Sequence, residues 1–499
     1  EAYTAHDVGL LQSIRKQRGG GIFSAKFFGT ALFVSTLLLL VHSFGLRYIR
    51  KYAPQRIDRY FLGTMLVMMV GLLRAGGFLI DALAQTLPLT IPRGAYSYLL
   101  PLAAGGMFVR FLLNSETAIL FSVVAAVLTG MMFTADPAYT AFAFTANVAG
   151  AMAIAHADRR SAIIKAGLLA SALIAIAIVG LQLARIGLPG EVLTWRGIAW
   201  SIGMAAAGTM IAAIFVLALT PLFEWMFGYT TDIKLLELAN LNHPLLRELV
   251  IRAPGTYHHS HLVGILAEAA AQAIGANPLL ARVGAYYHDI GKIRKPLYFT
   301  ENLKEGESRH DRLTPHMSAL IISSHVKDGV ELARSYQLPP KIVDMIPQHH
   351  GTNRIGYFFE RAKAQEDPTL GTVEEKDYRY PGPKPQTREA GILMLSDQTE
   401  GAVRALREKS PTRIQQTSEQ IINKCFADGQ LDECELTLKN LNEIAKAFVR
   451  ILLGIYHQRT EYPRDTLKLH EKDVAVLEGE SGRQDPLLSG KISSPSFRH

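Results

Sequence analysis

The chain has 499 residues, 49% of them hydrophobic, and a formal net charge of +8 from 52 Lys and Arg against 44 Asp and Glu. At about 100–200 residues per core this length excludes a single compact domain, and the apolar residues gather in the first half. The two cysteines, Cys425 and Cys434, sit in the polar half and exclude a disulfide framework, while the scattered basic residues carry no signature of a nucleic-acid polymer as partner.

In chain order, residues 1–21 are polar with a weak helical pattern at Val8, Leu10, Leu11 and Ile14, and they read as the end of a longer extracellular segment. Seven apolar runs come next, at 22–46, 60–84, 95–113, 117–134, 137–155, 162–185 and 197–226. About 20 mostly apolar residues cross a bilayer as a helix, so residues 22–227 are predicted to form a seven-helix transmembrane bundle with lipid as its surroundings. Only residues 113–116 separate the third and fourth runs, and a re-entrant pair, leaving five crossings, would read similarly. Loop charge orients the bundle. Arg47, Arg50, Lys51, Arg56 and Arg59 follow the first run and Arg159, Arg160 and Lys165 the fifth, whereas 85–92 and 135–139 are nearly uncharged. Positive charge stays inside, so Glu1 is expected outside and residues from 228 onward in the cytoplasm, which needs an odd number of crossings. Arg74 and Asp81 lie at helical spacing in the second run, where an ion pair near an interface and a coupling role are both open.

Beyond 227 the composition turns polar. Thr231 is predicted to cap a connector helix in 228–250 whose Leu235, Leu236, Leu238 and Leu241 pack on the domain C-terminal to it, with Asn242, His243 and Pro244 ending or bending it. Residues 251–463 read as an α-helical domain and 464–499 as a disordered tail. Predicted helices there carry imidazoles and carboxylates at their ends or on apolar faces: His259 early in one, His288 and Asp289 after 278–287 with Gly291 as a left-handed cap, His325 after the Thr314–Pro315 start, His349 and His350 after a kink at Pro347, and Asp397 within 389–406. A carboxylate on an apolar helix face is costly to desolvate unless a cation or several donors compensate it, and a pair of transition-metal ions suits this set. The stretch 365–387, charged and rich in proline, reads as a surface loop or a lid at the mouth of such a site.

These residues sit in fuller strings: LANLNHPLLR at 238–247, APGTYHHS at 253–260, GAYYHDIGK at 284–292, SHVKDGVELA at 324–333, QHHG at 348–351 and YPGPK at 380–384. Together they resemble the bacterial membrane receptors that join a seven-helix bundle to a cytoplasmic HD phosphohydrolase domain and hydrolyse cyclic di-AMP. The resemblance implies an all-α chain lacking most of its N-terminal extracellular domain. It also implies one metal held by His259, His288, Asp289 and Asp397, with Asp289 bridging to a second held by His325, His349 and His350. His259 is preferred over its neighbours because the superfamily ligand directly precedes Ser; His258 then supports the ligands from behind.

Two such cations, roughly 3.5–4 Å apart, activate water and neutralise a phosphodiester. Asp289 and Lys292 are the residues expected to act in catalysis, Lys292 by contacting a phosphate oxygen. Manganese or iron suits the donors, and a homodimer is an open assembly state. The implied reaction is cyclic di-AMP to linear pApA. The alternatives are hydrolysis of cyclic di-GMP or another nucleotide, and a receptor that binds a nucleotide without cleaving it. The guanine-specific relatives follow the His doublet with a longer Gly-Tyr-Pro signature, whereas here it continues as GTNRIGYF.

Overall fold

The computed structural model describes residues 21–86, 91–133, 137–155, 159–185, 194–303, 308–366 and 372–456; the expectations for 1–20 and 457–499 fall outside them. Among the described residues the chain is all-α, with one isolated bridge between Arg354 and Arg379. The apolar runs carry α1 (Gly21–Tyr48), α2 (Arg56–Thr86), α3 (Ala103–Leu112), α4 (Ser115–Met132), α5 (Pro137–Ala153), α6 (Arg160–Ala184) and α7 (Trp195–Phe227).

Among the described residues six spans, against the seven expected, are long and apolar enough to cross a membrane. The fifth run falls short because α5 has 17 residues, about 25 Å at the helical rise against a hydrocarbon core of about 30 Å. The third run is also not one helix. A turn at Arg93–Tyr96 and a 3₁₀ segment Ser97–Leu99 precede α3, and Leu100 is extended before Pro101, which has no N–H to continue a helix.

The bundle core draws on α2 to α7, with Phe61, Met65, Phe108 and Phe223 deeply buried. Close backbone approach explains its small residues: a Cβ on Gly106 would lie 2.1 Å from the Asn147 carbonyl, and Asn147 Oδ1 accepts the Gly106 N–H at 2.8 Å. No described side chain of α1 belongs to this core, and its spanning window is unburied. Arg74 and Asp81 are exposed and do not pair, since seven residues put them about 10.5 Å apart along the axis.

Gly228, at φ +68°, ends α7 and turns the chain into α8 (Asp232–Leu238), which Thr231 caps by accepting the Lys234 N–H. Three bonds tie this junction to the bundle. Tyr229 donates to Asp58 at 2.7 Å, Thr231 donates to Glu224, and Arg160 pairs with Glu237 at 2.7 Å. The connector is two helices, because α8 stops at Leu238 and α9 (Pro244–Arg252) restarts at a proline suited to a first turn. Leu235 and Leu238 are therefore buried with Leu245, Leu246 and Leu249, while Leu236 and Leu241 face out, contrary to expectation. Each fully buried leucine contributes about 1.5–3 kcal/mol, so α8 and α9 are integral to the helical domain they lean on.

That domain contains α10 (Pro254–Ile274), α11 (Pro278–Tyr287), α12 (Pro315–Ser335), α13 (Pro340–Gln348), α14 (Gly356–Ala364), α15 (Arg388–Arg404), α16 (Pro411–Ala427) and α17 (Leu438–Ile455). One core joins α10, α15, α16 and α17 through residues such as Leu266, Leu393 and Phe448. A second joins the connector to α11 and α13 through Tyr287, Ile342 and Ile346.

Candidate metal centre

Five elements bring the ligand candidates together. Helix α10 starts on Pro254 and carries His259 on its second turn, buried. Asn277 caps α11 through the Leu280 N–H at 3.0 Å, and the helix stops so that His288 and Asp289 follow it directly. The chain then enters a 3₁₀ turn, Ile290–Arg294. Thr314 caps α12, which buries His325 mid-helix. Helix α13 ends one residue past Pro347, placing His349 and His350 immediately beyond it, and α15 carries Asp397 between apolar turns.

Gly291 is not the left-handed cap its position suggested; the glycines with positive φ lie elsewhere. Its role is steric. A Cβ there would lie 1.8 Å from the His325 carbonyl oxygen and 2.6 Å from the Gly329 nitrogen, so only glycine lets the turn after Asp289 press against α12.

The two oxygens of Asp289 face opposite ways. Oδ2 lies 3.3 Å from His288 Nε2 and 3.7 Å from His259 Nε2, and these two nitrogens stand 3.7 and 3.0 Å from Asp397 Oδ1. Oδ1 lies 3.3 Å from His325 Nε2 and 3.7 Å from His349 Nε2. His350 completes that side, with Nδ1 3.7 Å from Asp397 Oδ2. The residues thus fall into overlapping sets, among them His259, His288 and Asp289 on one side and Asp289, His325, His349 and His350 on the other, with donor atoms within 4.8 Å of one another in each.

In four of the five imidazoles Nδ1 is engaged. Nδ1 of His288 donates to the Ala285 carbonyl at 2.7 Å, that of His325 to Ile322 at 2.5 Å, and that of His349 to Ile346. His259 Nδ1 meets Glu400 Oε2 at 2.5 Å. With Nδ1 committed, each Nε2 points inward, the arrangement by which outer partners fix a metal-ligating imidazole. Nε2 of His288, His325 and His349 and Oδ1 of Asp289 are buried without hydrogen-bond partners. Each such orphan costs about 1–3 kcal/mol, and a cation is the partner this donor set fits.

Electrostatics divides the histidines. Burial pushes His350 down to about 3 and His349 well below its usual range, and it also lowers His325, so all three offer unprotonated nitrogens at neutral pH. Burial opposes charge on His288 as well, but Asp289 and Asp397 outweigh it and raise the imidazole to about 10. Asp397 and Glu400 raise His259 against burial. Asp289 is held well below the carboxylate range because Lys292 and His288 outweigh its desolvation. Asp397, which draws protons onto both of these imidazoles, would draw a divalent ion more strongly.

Lys292 Nζ lies 2.6 Å from Asp289 Oδ2 and 2.8 Å from Glu301 Oε1, and 4.9 Å from the Phe299 ring centroid. It is nearly buried, and Asp289 and Glu301 raise its pKa against the effect of burial, so it is a fixed cation at the edge of the cluster. His258, expected behind the ligands, is exposed on the far side of α10, one residue being about 100° around a helix. His261 stacks on Tyr286 at 5.8 Å instead of entering the site.

Sequence reading missed Glu400, Glu301 and the role of Tyr380. Glu400 had a legible signal, since it follows Asp397 by three residues on one helix face; Glu301 arrives through irregular chain and had none. Tyr380 stacks on His350 with centroids 4.1 Å apart. Its segment is not the solvated loop expected. Tyr378 is buried, its carbonyl accepts the Ile355 N–H at 2.7 Å, and Tyr380 N donates to Asn353 O at 3.0 Å. This packed wall borders a cavity of about 630 Å³ beside His350, with Arg354, Arg379 and Lys424 on its lining.

A family model described as a 7TM receptor with intracellular HD hydrolase matches residues 24–231, and an HD domain model matches residues 256–402. The cyclic-di-AMP phosphodiesterase PgpH of Bacillus subtilis is 39% identical over 378 residues, covering 74% of this chain and 52% of the relative. PgpH of Listeria monocytogenes is 41% identical over 371 residues, covering 74% and 51%. The solved HD domain of L. monocytogenes PgpH in complex with cyclic-di-AMP is 48% identical, with 44% of this chain and 100% of that chain covered and a TM-score of 0.41. The chain spans about half the length of the curated relatives it matches.

Proposed function

Because the chain belongs to the seven-transmembrane receptors with an intracellular HD hydrolase, we propose that it is a membrane-anchored, two-metal phosphodiesterase that opens cyclic di-AMP to linear pApA in the cytoplasm. The observation that carries this reading is Asp289, a buried carboxylate whose two oxygens each face their own histidines. In this reading His259, His288, Asp289 and Asp397 hold one ion, and Asp289, His325, His349 and His350 hold the other. Manganese and iron suit imidazole mixed with carboxylate. The ions supply an activated water and neutralise phosphodiester charge.

The chain's own residues do the rest. Nδ1 bonds to backbone carbonyls and to Glu400 lock the imidazoles, so little reorganisation is left for the moment of reaction. Lys292, held charged between Asp289 and Glu301, is positioned to bind a phosphate oxygen. The cavity bordered by Tyr380 offers an aromatic face and Lys424 to the remainder of a dinucleotide, while Arg354 and Arg379 there pair with Glu375 and Asp428. None of these groups reads the base by itself, so the choice of adenine rests on the likeness to the PgpH relatives, whose names specify cyclic-di-AMP.

The test is kcat/KM of the full chain, loaded with manganese, on cyclic di-AMP and cyclic di-GMP in parallel. Preference for cyclic di-AMP with pApA as product is expected. A clear preference for the guanine dinucleotide would reject the substrate and leave the chemistry standing; no hydrolysis of either would reject both.

A further inference from the structure

We propose that the bundle holds one anionic phospholipid in the groove between α1, α2 and α4, at the end that meets the connector. A cavity of about 310 Å³ opens there, walled by aliphatic side chains including Leu38, Leu39, Leu66 and Leu120. At the roughly 30 Å³ that a water-sized group occupies in a liquid, this is room for about ten methylenes of an acyl chain. The groove exists because α1 stands off the core: its spanning window is unburied, and Gly63 leaves α2 bare where it lines the cavity. A Cβ on Gly63 would meet nothing within 4 Å.

One end of the groove is polar. His42 Nδ1 and the Tyr52 hydroxyl are hydrogen-bonded at 2.9 Å, and Arg59 completes the lining. Tyr52 is buried, whereas Arg59 is exposed. The side chains of Arg50, Arg56 and Arg59 make no hydrogen bond or ion pair with any described residue, so their charge is available. This end lies in the leaflet next to the helical domain, because Asp58, beside Arg59, bonds Tyr229, and Phe61 packs edge-on against Phe223, Phe227 and Tyr229. An acyl chain in the apolar part puts a phosphate beside Arg59, the pattern by which basic pockets between spanning helices take anionic headgroups. A groove open to lipid with an unpaired cation at its mouth selects an anionic lipid over a zwitterionic one.

The experiment is native mass spectrometry of the delipidated full chain, titrated with dioleoylphosphatidylglycerol or dioleoylphosphatidylcholine. The wild type should retain one phosphatidylglycerol in clear preference to phosphatidylcholine. Arg59→Gln should cut that preference about fivefold, the weight of one cation near a membrane surface, and Arg59→Lys should restore it. Gly63→Leu, whose Cβ enters open space on the groove wall and whose side chain takes part of the acyl chain's room, should weaken the adduct several-fold. Gly71→Leu, whose added Cβ also meets open space but outside the groove, should not, and melting curves confirm that both fold. Equal retention of the two lipids, or Gly63→Leu binding like the wild type, would overturn the proposal. So would a dimer that Gly63→Leu dissociates, because a second copy would then be the occupant.

Discussion

Gly291→Ala is a one-carbon change that should disable the centre without touching a ligand. The added Cβ would sit 1.8 Å from the His325 carbonyl oxygen, about 1.6 Å short of the 3.4 Å at which ordinary contact begins. The obstacle is backbone, so it cannot rotate away as a side chain would. Either the 3₁₀ turn after Asp289 or the middle of α12 must move by more than 1 Å, and these segments carry Asp289 and His325, now 3.3 Å apart. Overpacking costs about 1–3 kcal/mol, a lower bound where backbone is the neighbour. A misplacement of about 1 Å at a reacting centre costs on the order of a hundredfold in rate. The expected result is a lower Tm together with loss of the ion on the His325 side. Thermal melting and elemental analysis of the full chain measure the two. Gly329→Ala is the control, because its Cβ meets Ile346 Cγ2 at 3.1 Å and the Gly291 nitrogen at 3.3 Å, contacts a small shift relieves. Unchanged Tm and full metal content in Gly291→Ala would refute the reasoning.

Asp289→Ala should lose both ions and all hydrolysis while the helical circular dichroism survives; a variant retaining one tightly bound ion would mean that the carboxylate does not bridge. Glu400→Ala should weaken metal binding on the His259 side about 10–100-fold, as removal of outer ligand partners does, and isothermal titration with manganese measures it; unaltered affinity would reduce Glu400 to a packing residue. A reporter inserted after Arg59 or Arg160 should read cytoplasmic and one in the 85–91 loop external, with reversed signals rejecting the orientation.

Much of the helical domain was legible because its signals are local. Caps at Thr231 and Thr314 and first-turn prolines at 278 and 315 mark starts that depend on only a few neighbouring residues. The ligand candidates were legible for a different reason: polar residues on apolar faces demand compensation wherever the chain takes them. What escaped depends on distant chain. Gly291 reads as a cap until α12 is packed on it, Glu301 reads as surface until the irregular segment folds back to Lys292, and the 372–387 wall reads as a solvated loop until Tyr378 is buried. In the bundle, hydropathy found every run but could not foresee the break before Pro101 or the shortness of α5.

The bonds around Gly228 also set the angular phase of the helical domain. Arg160 reaches Glu237 only while α8 keeps its present rotation, and one residue inserted into α8 ahead of Glu237 would swing that carboxylate by about 100°. Tyr229 and Thr231 fix the same junction to α2 and α7 at two further points, so the domain cannot swivel on its stalk without breaking contacts. A chain lengthened or shortened at this junction should still bind metal, because none of these bonds belongs to the metal centre, and yet lose the ties of the connector to α2 and α6.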